Sequence, residues 1–293
     1  MARAPRRPRL FIDVQHGLSN RLRALSSAGA IAQRLGYDLV VIWVPDHHCD
    51  ARIHDLLIYA GPVIEDADVA ALARQAAARV YNYIEIEEGA VFNAPVLPEQ
   101  NPAATVGDVY VRSAYTLVSP HLRFAAEQRF LRALVPARPV RDLMATVPHP
   151  NDVAVHVRMS TGAGFDHLSW EAPDNWPAAR HQELVDWRAK SAAPRFVTRL
   201  DALVAEGWAN RIFLAADMPD TYNLFADRYG ARLVTLERAV FDRSAIQLQY
   251  ALADLILLSA ADRFLASTWS SFSDLAQRLA RPGRPVEKSG IDF

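Results

Sequence analysis

Short apolar, β-branched runs alternate along the chain with longer stretches whose apolar residues recur at helical spacing. Residues 10–14 read as a first strand and 39–44 as a second. Between them Leu22, Leu25, Ala28, Ala32 and Leu35 share one face of a helix over 21–35. Gly36 follows, where a helix C-terminus favours a left-handed residue. The pattern continues with a helix over 69–80, strands over 81–86 and 109–115, and a helix over 122–134. Pro136, Pro139, Pro148 and Pro150 then punctuate the chain, and an interdomain connection is expected near 145–150. Beyond it come strands at 153–158, 212–216, 232–236 and 264–267. They are separated by a helix from His181 onward and helices at 221–229 and 245–259, with a closing helix at 272–279. Such alternation implies doubly wound parallel sheets in an α/β protein, with no internal repeat.

The length of 293 residues exceeds what one core usually serves, so two domains are expected, 1–147 and 148–293. A composition 51% hydrophobic and 22% charged is that of a globular protein. Net charge is −1 and the isoelectric point about 6.8, so no global basic field exists to gather nucleic acid or an anionic membrane. Arg3, Arg6, Arg7 and Arg9, broken by Pro5 and Pro8, read as a loose solvated tail. The apolar run after it is too short for a signal-peptide core, and no stretch reaches the roughly 18 apolar residues of a membrane span. Cys49 is the single cysteine, which forbids an internal disulfide and makes the cytoplasm the expected compartment.

Ligands of open parallel sheets sit beyond the carboxyl ends of the strands, and four such places carry polar groups. In the first, 15–21, Gly17 permits close backbone approach, Ser19 or Asn20 can cap the helix, and free N–H groups can meet an anion. A turn and a cap alone also account for it. In the second, His156 and Arg158 end a strand on the same face, where an arginine fork can hold a diphosphate as a divalent cation does elsewhere. The alternative is an arginine paired with a neighbouring carboxylate. The third is Asp217, whose carboxylate can accept N1–H and N2–H of guanine or cap the helix that Pro219 helps to start. In the fourth, 267–274, Ser271 and Asp274 have capping-box spacing, while the hydroxyls and free N–H groups suit a phosphate.

Together these segments resemble the fucosyltransferase superfamily that joins bacterial nodulation fucosyltransferases, α1,6-fucosyltransferases and protein O-fucosyltransferases. The run from Gly17 through Asn20 and Arg21 to Arg23 is similar to that group's Gly-Leu-x-Asn-Arg/Gln segment. His156-Val157-Arg158 resembles its His-x-Arg motif, and Arg243-Ser244 through Asp254 to Ser273 its C-terminal block ending in Ser-Ser-Phe. The resemblance implies a GT-B-like fold of two Rossmann-like domains whose parallel sheets face across a cleft. The first would be the acceptor-side domain and the second the nucleotide-sugar domain. It implies inverting, metal-independent transfer of fucose from GDP-fucose to a glycan or other hydroxyl acceptor, with no cofactor. Arg158 would bind the donor phosphates, His156 and Asp217 the guanine, and Ser270, Ser271 and Phe272 the nucleotide diphosphate, with Gly17, Asn20, Arg21 and Arg243 as further donor contacts. The chain departs from the α1,6 pattern at Met159, where those enzymes carry a second arginine, and lacks the acidic residue that commonly follows. Asp166 is the candidate general base, with Glu171, Asp13 and His16 as competitors.

Two further patterns mimic metal sites. In 46–50, His47 and His48 are adjacent, and adjacent side chains diverge, so an acceptor-side loop is the better reading. Asp66 and Asp68 precede a helix, where capping explains them. No Gly-x-Gly-x-x-Gly, Gly-x4-Gly-Lys-Ser/Thr or Gly-x-Ser-x-Gly occurs, which disfavours dinucleotide oxidoreductases, P-loop enzymes and serine hydrolases. The rival from another class is a non-catalytic nucleotide-sugar binding protein, which would keep Arg158 and the Ser-Ser-Phe turn without a working base.

Overall fold

The computed structural model describes residues 6–162, 164–239 and 241–293. Arg3 of the basic cluster lies outside them. The chain forms two compact units, 1–135 and 136–293.

The first unit contains β1 (Arg9–Val14), α1 (Leu18–Leu35), β2 (Asp38–Ile42), α2 (Ile53–Leu56), β3 (Leu57–Ile58), β4 (Val63–Ile64), α3 (Ala67–Ala76), β5 (Arg79–Asn82), α4 (Pro102–Thr105), β6 (Val109–Ser113) and α5 (Phe124–Arg132). Its parallel sheet has the order β4-β2-β1-β6-β5. β1 is buried from Leu10 onward, as expected of a strand covered on both faces. Gly36 ends α1 in the left-handed conformation, with φ of 73°. A Cβ on Gly29, inside α1, would lie 2.3 Å from the Phe130 ring of α5, so glycine is what lets these two helices approach. Asp66 caps α3 by accepting the Asp68 and Val69 N–H groups.

β7 (Val135–Pro136) falls at the division between the units. The second contains α6 (Arg138–Met144), β8 (Val153–Val157), α7 (Ala178–Lys190), α8 (Ala193–Ala205), β9 (Ile212–Ala216), α9 (Pro219–Tyr229), β10 (Leu233–Val234), α10 (Ala245–Ala260), β11 (Arg263–Ala266), α11 (Ser271–Leu279) and β12 (Val286–Lys288). Its parallel sheet runs β10-β9-β8-β11-β12. Every residue of β8 is buried, and Val153, Val155 and Val157 join Phe196, Leu200 and Leu203 of α8 in one apolar cluster.

Four sequence expectations need correction. The units divide at 135/136 rather than 147/148, because α6 packs on α10 and belongs with the second sheet. The helix from His181 onward is two helices, α7 and α8, and Pro194 starts the second. The strand expected over 81–86 stops at Asn82, whose side-chain oxygen takes the Ile84 N–H and turns the chain. Arg6 and Arg9 are not a loose tail: they lie 3.0 and 2.5 Å from the Asp108 carboxylate, and Arg9 opens β1. Among the described residues no helix is long and apolar enough to cross a membrane.

Candidate functional site

In the second unit the chain runs outward from β8 through β9 to β10, then returns to place β11 on the other side of β8. The strand order therefore reverses between β8 and β11, which is where open α/β sheets bind ligands. Arg158 directly follows β8, and residues 267–270 directly follow β11. The two segments are joined by backbone contacts. The Ser267 hydroxyl donates to the His156 carbonyl at 2.9 Å and accepts the Arg158 N–H at 2.9 Å.

The Arg158 guanidinium meets two carboxylates. Nη1 lies 2.5 Å from Asp217 Oδ2 and also bonds Ser160 Oγ, while Nη2 bonds Glu171 Oε1. Burial alone would lower its pKa, yet Glu171 and Asp217 raise it above the ordinary arginine value. Glu171 also accepts Thr161 Oγ1 at 3.0 Å and lies 3.5 Å from Arg243, whose guanidinium sits 5.6 Å from the Trp170 ring centre. Among the described residues no hydrogen bond joins Arg158 to Ser270 or Ser271, so its neutralisation by Glu171 and Asp217 is the ion-paired alternative left open by the sequence.

Asp217 does not cap α9, whose N-cap is Met218. Its carboxylate instead accepts the Met159 N–H at 3.0 Å, the Ser160 N–H at 2.9 Å and Ser160 Oγ at 2.7 Å, besides Arg158. Burial would raise its pKa, but Arg158 and the Ser160 donors hold it at about 2. Guanine could bind Asp217 only by exchanging its N1–H and N2–H for these internal donors.

His156 is buried, and its Nδ1 lies 2.8 Å from Ser273 Oγ while its ring is 4.8 Å from that of Phe272. Burial pushes its pKa down to about 3, so the ring is neutral near pH 7. Ser270, not Ser271, is the N-cap of α11 and accepts the Ser273 N–H. The capping relationship thus sits one residue earlier than Ser271 and Asp274 imply. Ser271 and Phe272 occupy the first helical positions, whose N–H groups precede the intrahelical ladder.

Asp166 closes a turn in which its N–H reaches Gly162 O at 3.1 Å. Its Oδ1 is buried without a hydrogen bond and lies 3.6 Å from His181 Nε2 of α7. Its competitors are all committed to internal contacts or neutralised by burial. Glu171 pairs with Arg158. Asp13 accepts from Tyr110 at 2.6 Å, Gln15 at 2.6 Å and Arg112 at 2.5 Å. Burial, aided by Arg21, lowers the His16 pKa to about 4.

In the first unit, Gly17 is the N-cap of α1, and Ser19 and Asn20 lie inside the helix rather than capping it. Ser19 Oγ and Asn20 Oδ1 are buried without hydrogen-bond partners. A Cβ at Gly17 would meet only His48 O, at 4.0 Å, so the protein itself does not require glycine there. Arg21, expected to contact donor, is fully buried and turned inward. It donates to His16 O at 2.8 Å and Val44 O at 2.9 Å and lies 2.8 Å from Asp46. The apolar helix pattern over 21–35 gave no hint that its first arginine would close over the preceding turn. The rings of His47 and His48 lie 4.1 Å apart, and His48 lies 4.9 Å from His16. Among the described residues no group of three or more His, Cys, Asp or Glu is arranged to hold a metal ion.

Sequence reasoning did not single out Ser160 or Arg188. Ser160 is visible only through its contacts with Arg158 and Asp217. Arg188 lies on a polar helix where it reads as solvated, yet it is buried and donates to Thr268 O at 3.2 Å and Trp269 O at 3.1 Å.

The chain is similar in structure to NodZ alpha-1,6-fucosyltransferase soaked with GDP-fucose (TM-score 0.56, 16% identity, 93% of this chain and 93% of that one). It is likewise similar to POFUT1 in complex with GDP-fucose (0.52, 13%, 99% and 99%) and to FUT1 of Arabidopsis thaliana in complex with GDP (0.55, 14%, 98% and 71%). No family model and no curated protein sequence matches it. At these identities the likeness establishes the fold: two parallel-sheet α/β units of the GT-B type, as in these fucosyltransferases.

Proposed function

We propose that the protein is a metal-independent, inverting fucosyltransferase that moves fucose from GDP-fucose to a hydroxyl of a glycan or other acceptor. The observation that carries this reading is the partly buried guanidinium of Arg158, which directly follows β8 at the reversal point of the second sheet, while the Ser270-capped α11 follows the neighbouring strand β11. The shared fold of proteins crystallised with GDP-fucose and GDP supports it.

In this reading Arg158 and Arg243 meet the donor phosphates, and Ser271 and Phe272 offer their first-turn N–H groups to the same anion. His156, held by Ser273 and against Phe272, is a neutral hydrogen-bonding ring for the base. Asp217 fixes Arg158 and the turn after it. The acceptor hydroxyl gives its proton to Asp166 as its oxygen forms a bond to the anomeric carbon. The bond from that carbon to the β-phosphate oxygen breaks, and GDP leaves with the electron pair. Inversion follows from attack opposite the leaving group. Arginine stabilisation of the departing diphosphate supplies what a divalent ion supplies elsewhere.

The test is incubation of the purified protein in EDTA with GDP-fucose, GDP-mannose, UDP-sugars and dTDP-sugars, reading thermal shift and GDP or other nucleotide release. Stabilisation and slow hydrolysis selective for GDP-fucose are expected. Stabilisation without any hydrolysis or transfer would identify a nucleotide-sugar binding protein, and no response to any donor would refute both readings.

A further inference from the structure

Arg158 is balanced by carboxylates. It and Arg243 together face Glu171 and Asp217, so these four charges cancel. A site of zero local charge holds a diphosphate poorly, since the bound anion needs net positive potential. The adjacent position offers no second cation, because Met159 packs against the apolar cluster under α8 and its sulfur accepts the Ala193 N–H at 3.3 Å.

Arg188 is the charge left over. It comes from the last turn of α7 and is 7% exposed. Its Nη1 and Nη2 donate to the Thr268 and Trp269 carbonyls, the two residues before the Ser270 cap of α11. Nε is buried and has no hydrogen-bond partner. Among the described residues no carboxylate lies in ion-pair range of it, and Glu171 and Asp217 act on it only from farther away. The grip on the turn is firm: Trp187 of the same helix stacks on Trp269 at 6.3 Å and 11°, and Trp269 holds a left-handed φ of 55°. Burial, reinforced by the like charge of Arg158, lowers the Arg188 pKa to about 10, so it stays cationic at neutral pH. A buried guanidinium with two carbonyl partners, one idle N–H and, among the described residues, no carboxylate in ion-pair range carries a desolvation cost that its hydrogen bonds and the more distant Glu171 and Asp217 return only in part. An anion at the start of α11 would return the rest.

We propose that Arg188 is the second anion-binding guanidinium of the donor site, presenting its charge and its Nε–H to a nucleoside diphosphate at the N-terminus of α11. The inference rests on the GDP-donor reading above. It assigns the net positive charge of that subsite to one residue.

The test is calorimetric titration of GDP and guanosine, in EDTA, into wild type, Arg188→Gln and Arg158→Gln, with folding checked by circular dichroism. Arg188→Gln is expected to weaken GDP about tenfold or more, in line with loss of a charge-assisted contact, and to leave guanosine within about twofold. Equal loss for both ligands would make Arg188 only a clamp on the turn, and unchanged GDP affinity would leave it no role; either overturns the proposal. Should the glutamine variant not fold, the Arg188 Nε–H resonance of wild type decides: it shifts with GDP and not with guanosine, and a resonance unmoved by GDP overturns the proposal. If wild type binds no GDP, the functional reading fails and takes this with it. If wild type binds GDP through Arg158 while the Arg188 readouts stay still, only this inference fails.

Discussion

Asp217 Oδ2 lies 2.5 Å from Arg158 Nη1 and also accepts the Ser160 N–H at 2.9 Å, so one carboxylate fixes both the guanidinium and the turn that follows it. Arg158 is therefore a structural cation as well as the proposed donor contact. Arg158→Ala leaves the partly buried Asp217 without its ion-pair partner and the buried Glu171 with only Arg243, 3.5 Å away, and breaking such a pair costs about 3–5 kcal/mol. Urea denaturation of the variant is expected to show a loss of this size. A loss under about 1 kcal/mol, the scale of an exposed pair, would contradict the buried geometry.

Of the candidate bases, Asp166 keeps a buried oxygen without a hydrogen bond, whereas Glu171 and Asp13 are bound by arginines. Asp166→Asn is expected to reduce turnover by about 10²–10⁴, the usual range for removal of a general base, with GDP affinity unchanged. Steady-state kinetics with GDP titration checks this. A variant that transfers at the wild-type rate would remove Asp166 from the reaction.

His156 makes stability depend on pH with a definite sign. Its folded pKa of about 3 is below the ordinary 6.5, so between these values the unfolded chain holds one more proton and stability falls as pH falls. One proton is worth about 1.4 kcal/mol per pH unit. His16, lowered by burial to about 4, adds a slope of the same sign, while Asp254, raised by burial to about 6, opposes it below that pH. Both persist in His156→Asn, so denaturation of variant and wild type between pH 4 and 6 should differ in slope by about one proton. Parallel pH profiles would show that His156 is protonated in the folded state.

Ser270 caps α11 through its hydroxyl, the role that spacing had given to Ser271. Ser270→Ala is expected to lower stability by about 1 kcal/mol and Ser271→Ala by markedly less. Equal effects on the melting of the two variants would contradict this cap.

The α/β alternation and parallel order were legible because buried parallel strands such as β8 are continuous apolar runs between amphipathic helices. The placement of the candidate residues was legible where strand geometry dictates position: His156 lies near the end of β8, Arg158 directly follows it, and Ser270 caps α11. It was not legible where a long side chain chooses among distant partners. Arg21 turns back to Asp46, Glu171 arrives from an irregular loop to neutralise Arg158, and Arg188 leaves a polar helix for two carbonyls 80 and 81 residues away. No local pattern encodes those contacts. The unit boundary was misjudged for a similar reason: prolines mark where regular structure stops, whereas the packing of α6 on α10 decides to which unit it belongs.

The most direct measurement is a titration of GDP in EDTA into wild type and Arg158→Lys. Lysine keeps the charge that balances Glu171 and Asp217 but lacks the fork that holds a phosphate bidentately. The account predicts that wild type binds GDP without a divalent ion and that the folded lysine variant binds at least about tenfold more weakly. Binding that requires a divalent ion, or equal affinity in the two proteins, would contradict it.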